Sequence, residues 1–141
     1  MTVEQLSIFL ENKTGRSYNI AEILAKADID LISFNISETT DYGLLRIIVN
    51  DPEKAKEVFK KNNIVFKSTP IIVIEVPNVP GGMYKALQVF KENEIDIRYL
   101  YAFVGNHPNK AIAGIKVENT EESLKILKNS NITLLSLKDL L

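Results

Sequence analysis

The chain has 141 residues, 17 basic against 18 acidic side chains for a formal net charge of -1, and 45% hydrophobic residues. That balance is the one of a soluble globular protein, and it offers no basic surface for capturing nucleic acid or an anionic membrane. The absence of cysteine excludes disulfide scaffolds, thiolate zinc sites and cysteine nucleophiles, and no apolar run approaches the ~20 residues of a membrane span. Met1–Gln5 is too short and too acidic for a signal peptide, so the chain reads as cytoplasmic.

Along the chain, Gln5 to Leu10 alternates Leu6, Ile8 and Leu10 with Gln5 and Ser7, the period of a strand. Asn12 to Arg16 is a polar loop. From Tyr18 to Ala27, Ile20, Ile23, Leu24 and Ala27 fall at i, i+3, i+4 and i+7, which predicts an amphipathic helix. Ile29 to Ser37 alternates again, placing Ile32, Phe34 and Ile36 on a core face and Ser33, Asn35 and Ser37 opposite. Glu38 to Tyr42 is a turn, and Glu38 and Asp41 read as turn carboxylates rather than an acid/base pair. Gly43 to Asn50 is a hydrophobic strand. Asp51-Pro52 then supplies an N-cap and a proline for the first helical position, opening a helix with Ala55, Val58 and Phe59 inward. Ile64 to Phe66 is a short closing strand, and Lys67 to Pro70 a linker.

The second half repeats this order, with strands at Ile71 to Val76, Ile97 to Val104, Ala111 to Val117 and Ile132 to Leu135, and helices at Gly82 to Asn93 and Glu121 to Asn129. Asn119 followed by Glu122 has the spacing of a capping box. The correspondence is also residue by residue. Asn12 falls on Asn78, Gly15 on Gly81, Tyr18 on Tyr84 and Ile29-Asp30 on Ile95-Asp96, all 66 positions apart. After the loop at Gly105 to Lys110 the spacing becomes 68, and Val49 meets Val117, Lys60 meets Lys128 and Asn63-Ile64 meets Asn131-Ile132. One register with one small loop insertion is the mark of a tandem repeat. The sequence therefore predicts an α+β chain of two ferredoxin-like βαββαβ modules, residues 1–68 and 69–141, each an antiparallel sheet with both helices on one face.

The loops after the first strand of each copy, Leu10-Glu11-Asn12-Lys13-Thr14-Gly15-Arg16 and Val76-Pro77-Asn78-Val79-Pro80-Gly81-Gly82, resemble the Asn-x-Pro-Gly signature of ACT domains, regulatory modules of amino-acid metabolism. The resemblance runs from about Val3 to Ser136 and includes Tyr99-Leu100-Tyr101-Ala102-Phe103, a stretch similar to one in small tandem ACT proteins. It implies a non-catalytic effector sensor with no cofactor, binding an amino acid at the interface of ACT modules and acting on a partner enzyme or as its regulatory subunit. Carried over by position, the implied ligand-binding residues are Asn12, Gly15 and Asp30 in the first copy, and Asn78, Gly81 and Asp96 in the second. Thr14 departs from the signature proline, whereas Pro80 keeps it, so the second loop is expected to be the better preorganised. Asp30 and Asp96 stand where amino-acid-binding members commonly have asparagine.

The residue types suit the ligand. A glycine lets backbone approach closely, a helix N-terminus favours a carboxylate, and asparagine both donates and accepts. The same residues also serve ordinary turns, the asparagines by mimicking backbone hydrogen bonds and the aspartates as solvated carboxylates. His107, the only histidine, lies in a hairpin loop, and one histidine without cysteine provides no transition-metal site. No Ser/His/Asp order or G-x-S-x-G elbow is present. An RNA-binding module shares the βαββαβ order, but the basic-plus-aromatic signature of such modules is missing. Finally, Tyr99, Tyr101 and Phe103 correspond to Ser33, Asn35 and Ser37 and should project from the helix-free side of the second sheet. Left open they would form an apolar patch, which predicts a homodimer through these three aromatics, with Leu137, Leu140 and Leu141 of the tail nearby.

Overall fold

The computed structural model describes residues 1–11, 14–38, 42–103 and 108–141. Asn12, Asp41, Val104 and His107 fall outside them. The chain divides into two compact units, Glu4–Thr69 and Met1–Val3 with Pro70–Leu141, here the first and second units.

The first unit contains β1 (Val3–Glu11), α1 (Arg16–Lys26), β2 (Leu31–Glu38), β3 (Tyr42–Val49), α2 (Pro52–Lys61) and the leading residues of β4 (Phe66–Pro77). Its strands pair antiparallel in the order β2-β3-β1, with Ile8 opposite Leu45 and Phe34 opposite Ile47. The alternation of β1 sends Leu6, Ile8 and Leu10 to the helix side, where they meet Ile20 and Leu24 of α1 and Ala55 and Phe59 of α2. Asp51 caps α2 by accepting from the Lys54 N–H at 3.1 Å, with Pro52 at the first helical position.

The second unit continues β4 and adds α3 (Gly82–Glu92), β5 (Ile97–Ala102), β6 (Lys110–Val117), α4 (Thr120–Lys128), β7 (Thr133–Leu135) and a short α5 (Leu137–Leu140). Its antiparallel order is β7-β4-β6-β5. Ile72, Ile74 and Val76 pack under Ala86 and Phe90 of α3 and Leu124 and Leu127 of α4. Each unit is thus a ferredoxin-like βαββαβ module with both helices on one face of an antiparallel sheet. Among the described residues no helix is long and apolar enough to cross a membrane.

Several local expectations are corrected. Lys67 to Pro70 is no linker but part of the leading stretch of β4, one unbroken strand from Phe66 to Pro77. Proline pushes its preceding residue, Thr69, toward extended backbone, and β-branched Thr69 already favours it. In β2 the register shifts between Leu31 and Ser33, so Ile32 is a bulge residue and Leu31 takes the core position expected of it. β5 repeats the shift between Ile97 and Tyr99, leaving Arg98 at the bulge and Ile97 on the core. Phe34 and Ile36 do lie on the helix side, beside α1, but each remains 56% exposed because β2 lies at the sheet edge. Glu38 ends β2 rather than lying in a turn. At α4 the Asn119 side chain accepts from the Glu122 N–H at 3.2 Å, but its amide meets the Glu122 carboxylate instead of leaving it to the cap backbone. A full capping box forms at Ser136 and Asp139 and starts α5, which the sequence reading treated as tail.

Candidate functional site

The two repeat-related loops end on the glycines that precede α1 and α3. Gly15 has φ 85° and ψ 5°, and Gly81 φ 85° and ψ -3°, so both occupy the left-handed region that glycine enters without penalty. A Cβ at either position would meet nothing within 4 Å, so the demand is on backbone conformation and not on packing. Helix propagation starts directly from them, with Asn19 N–H donating to Gly15 O and Lys85 N–H to Gly81 O, each at 3.0 Å.

What separates these two helices from α2 and α4 is their ends. Asp51 and Asn119 cap α2 and α4 with side-chain oxygens, whereas α1 and α3 have no side-chain cap and no acidic residue in the first turn. Among the described residues, their first-turn N–H groups therefore carry the positive end of an 11-residue helix without a side-chain acceptor. An incoming carboxylate satisfies such an end.

Asn78 is exposed; its backbone N–H donates to Asn109 O at 3.0 Å, and its side chain makes no hydrogen bond among the described residues. Gly82, which the sequence reading passed over, is the more constrained glycine, since a Cβ there would lie 2.1 Å from Pro77 O. The doubled Gly81-Gly82 was the available signal: one glycine for conformation, the next for close approach. In the first unit Arg16 stands at that position and pairs with Glu11 at 3.6 Å.

Asp30 and Asp96 are not brought to these loops within their own units. Each follows its helix, beyond the end opposite the glycine, and the 11 residues between span roughly 16 Å of helix. Both are exposed. Asp30 fastens β2 to the end of β3, its N–H donating to Asn50 Oδ1 at 3.0 Å and its carbonyl accepting from Asn50 N–H at 3.2 Å. In the second unit Glu118 replaces Asn50 and pairs instead with Arg98. Among the described residues no cluster of His, Cys, Asp and Glu has the makings of a metal site.

The expected open aromatic patch is not open. Tyr99, Tyr101 and Phe103 stack in a row, with ring centroids 6.4 and 5.8 Å apart. Phe103 is only 8% exposed and both tyrosines are half-buried. Phe103 and Ile71 close over Gly114, whose missing Cβ makes the room. This arrangement is neither a free base-stacking platform nor the apolar patch that the dimer expectation required. The apolar surface lies elsewhere, in an open groove of about 400 Å³ between α1 and β2 lined by Tyr18, Leu24, Leu31, Phe34 and Ile36.

Comparison with known proteins agrees with the architecture. A family model described as an ACT domain pair matches residues 1–141. The crystal structure of protein BT0572 from Bacteroides thetaiotaomicron superposes with a TM-score of 0.92 at 40% identity, covering 99% of this chain and 96% of that one. The regulatory subunit of aspartate kinase from Thermus thermophilus, in a ligand-free form, gives a TM-score of 0.62 at 13% identity over 91% of each chain. The equivalent subunit from Thermus flavus gives 0.59 at 13% identity over 89% of this chain and 88% of that one. At such identities the likeness to the two kinase subunits is one of fold. A search of curated proteins finds no match. The repeat, the two ferredoxin-like units and a family match over the whole length together make this chain a member of the ACT domain pair family.

Proposed function

We propose that the chain is a non-catalytic regulatory protein that binds a free amino acid at the loops preceding α1 and α3 and passes its occupancy to a separate enzyme. The observation that carries this reading is the pair of uncapped helix ends, each preceded by a left-handed glycine, in a chain whose other two long helices are capped by side chains. An amino acid brings the carboxylate that such an end lacks. Gly81 opens the approach, and the free Asn78 amide supplies a donor or acceptor for the ligand's other polar group. Gly15 offers the same approach in the first unit, with Asn12 as the counterpart of Asn78. Pro80 restrains the second loop, so that loop is the stronger site. Asp30 and Asp96 suit a ligand ammonium, but each lies beyond the far end of its own helix from the glycine. The fold likeness to a regulatory subunit of aspartate kinase supports a partner enzyme as the receiver of the signal.

A thermal-shift screen of the twenty amino acids tests the reading. A ligand at one hundred times its dissociation constant should stabilise the fold by about 2.7 kcal/mol. Gly81→Val should abolish the shift and Asn78→Ala should weaken affinity by about 1–3 kcal/mol. No shift with any amino acid would contradict the proposal.

A further inference from the structure

Each unit has a cleft beside the helix that follows its glycine loop, and the repeat shows how the two differ. In the first unit the cleft holds about 200 Å³ and is lined by Glu11, Arg16, Ile20, Asn63 and Ile64 among others. In the second it holds about 470 Å³, and the matching residues are Pro77, Gly82, Ala86, Asn131 and Ile132. Two truncations account for the extra room. Arg16 lies in its own cleft and pairs with Glu11, whereas Gly82 brings no side chain and has no space for one, with Pro77 O only 2.1 Å from where a Cβ would stand. Ile20 ends the first cleft, whereas Ala86 lets the second run on along α3 to Val89 and Glu92.

The longer cleft has unlike ends. Its floor is apolar, from Val76, Pro77, Ala86, Val89 and Ile132. Lys85 stands towards the loop, exposed and with no ion-pair partner among the described residues. Glu92 stands at the far end, where its carboxylate accepts from the neutral Gln88 amide at 3.0 Å. The two lie on one face of α3, two turns and roughly 10 Å apart along its axis. Glu75, the other carboxylate of the cleft, is already neutralised by Lys110 at 2.9 Å. The first unit has neither end, since Asn19 matches Lys85 and Lys26 matches Glu92.

Given an amino-acid site at the Gly81 loop, as proposed above, we infer that its ligand is a basic amino acid whose side chain lies in the cleft between α3 and β4. The ligand carboxylate sits at the loop end beside Lys85, the methylenes cover the apolar floor, and the terminal cation meets Glu92. An aliphatic stem with a charged head suits such a channel, because the stem is buried while the head keeps a charged partner. An uncharged side chain leaves Glu92 unmet, and an acidic one sets carboxylate against carboxylate.

The test is calorimetric titration of the full-length protein with arginine, lysine, citrulline and norleucine, the last two keeping the aliphatic stem without the charge. Arginine or lysine should bind at least about tenfold more tightly than its neutral counterpart. Glu92→Gln should remove that preference, while Lys26→Gln at the matching position of the first unit should leave it intact. Lys85→Ala should weaken charged and neutral ligands alike. Lys85 and Glu92 are exposed, so an unchanged melting temperature of each unliganded variant checks that the fold is kept. Equal affinity for charged and neutral ligands, or a preference that survives Glu92→Gln, would overturn the inference. A neutral amino acid that binds with backbone amide shifts confined to the Gly81 loop would overturn the cleft alone and leave the amino-acid reading standing. Arginine or lysine binding that perturbs Ala86 and Glu92 but survives Gly81→Val would keep the cleft and overturn the loop. Silence with every amino acid would overturn both.

Discussion

The two units hold the same backbone with different chemistry at several matched positions on the helix-free side of their sheets. In the first, that side carries Gln5, Ser7, Ser33, Asn35 and Ser37, with Gln5 Nε2 donating to Ser7 Oγ at 3.2 Å and the Arg46 guanidinium to Ser37 Oγ at 2.6 Å. In the second, the matching positions are Ile71, Val73, Tyr99, Tyr101 and Phe103, and Gly114 stands where Arg46 was. The helix-facing half changes far less, with Leu6, Ile8 and Leu10 matched by Ile72, Ile74 and Val76. The helix-facing half is the one the two units share, and the helix-free half is where they differ.

Exchanging residues between the units is the sharpest way to break this comparison. Gly114→Arg should be the most damaging change, at about 3 kcal/mol or more, because even a Cβ would lie 2.8 Å from Phe103 Cε1 and 3.0 Å from Ile71 Cδ1. The reverse, Arg46→Gly, should cost only about 1–2 kcal/mol in urea denaturation, from a lost hydrogen bond and a weaker strand residue. Equal losses would mean that the two faces are not specialised. Gly82→Ala should cost about 1–3 kcal/mol by forcing Pro77 aside, whereas Arg16→Ala at the matching position should stay within about 0.5 kcal/mol. Gly15→Ala and Gly81→Ala should each cost about 1–2 kcal/mol, and equally, because both glycines hold the same φ in open space.

The smallest expected effect concerns pH and the first unit alone. Glu4 accepts from Lys56 and Ser68, and Lys56 also pairs with Glu53 at 3.0 Å. Burial pushes the Glu4 carboxyl up, but the hydrogen bonds from Lys56 and Ser68 and the charge of Lys56 outweigh it and hold it below its ordinary value. The hydrogen bonds to Glu4 and Glu53 raise Lys56 above its ordinary value against a smaller effect of burial. The Glu4 contribution is thus complete above its unfolded value of about 4.3 and is lost as pH falls through the folded one. The Lys56 contribution is complete below about 10.4 and is lost as pH rises through the folded value. In the second unit the corresponding residues are Pro70 and Leu124, which do not titrate. Glu4→Gln should cost no more than about 1 kcal/mol at neutral pH and flatten the acid limb of a melting-temperature profile. An unchanged acid limb would place the titrating group elsewhere.

Periodicity made the elements and the repeat legible, because an interior strand or helix declares its buried face directly. It could not show how far cover extends. Phe34 and Ile36 were assigned to the correct side, yet they are exposed because the groove beside α1 is open at the β2 edge. Ser33 was assigned to the opposite, helix-free side, yet it is buried. Bulges are equally silent in sequence, and one bulge per unit moved Leu31 and Ile97 into places where alternation put their neighbours. At the candidate site the repeat and the family resemblance singled out Gly15 and Gly81, and their φ values supply a conformational reason for glycine there. Gly82 was missed although the doubled glycine marked it, because its role depends on Pro77 O folding back against it, a contact that the glycine pair alone does not specify.

The central claim is that an amino acid binds at the loop before α3. A backbone amide NMR titration of the full-length protein with each of the twenty amino acids tests it most directly. At least one should perturb Asn78, Gly81, Gly82 and the first turn of α3 most strongly, and Gly81→Val should remove those shifts while the rest of the spectrum keeps its dispersion. Silence with all twenty, or perturbations centred away from both glycine loops, would contradict the account.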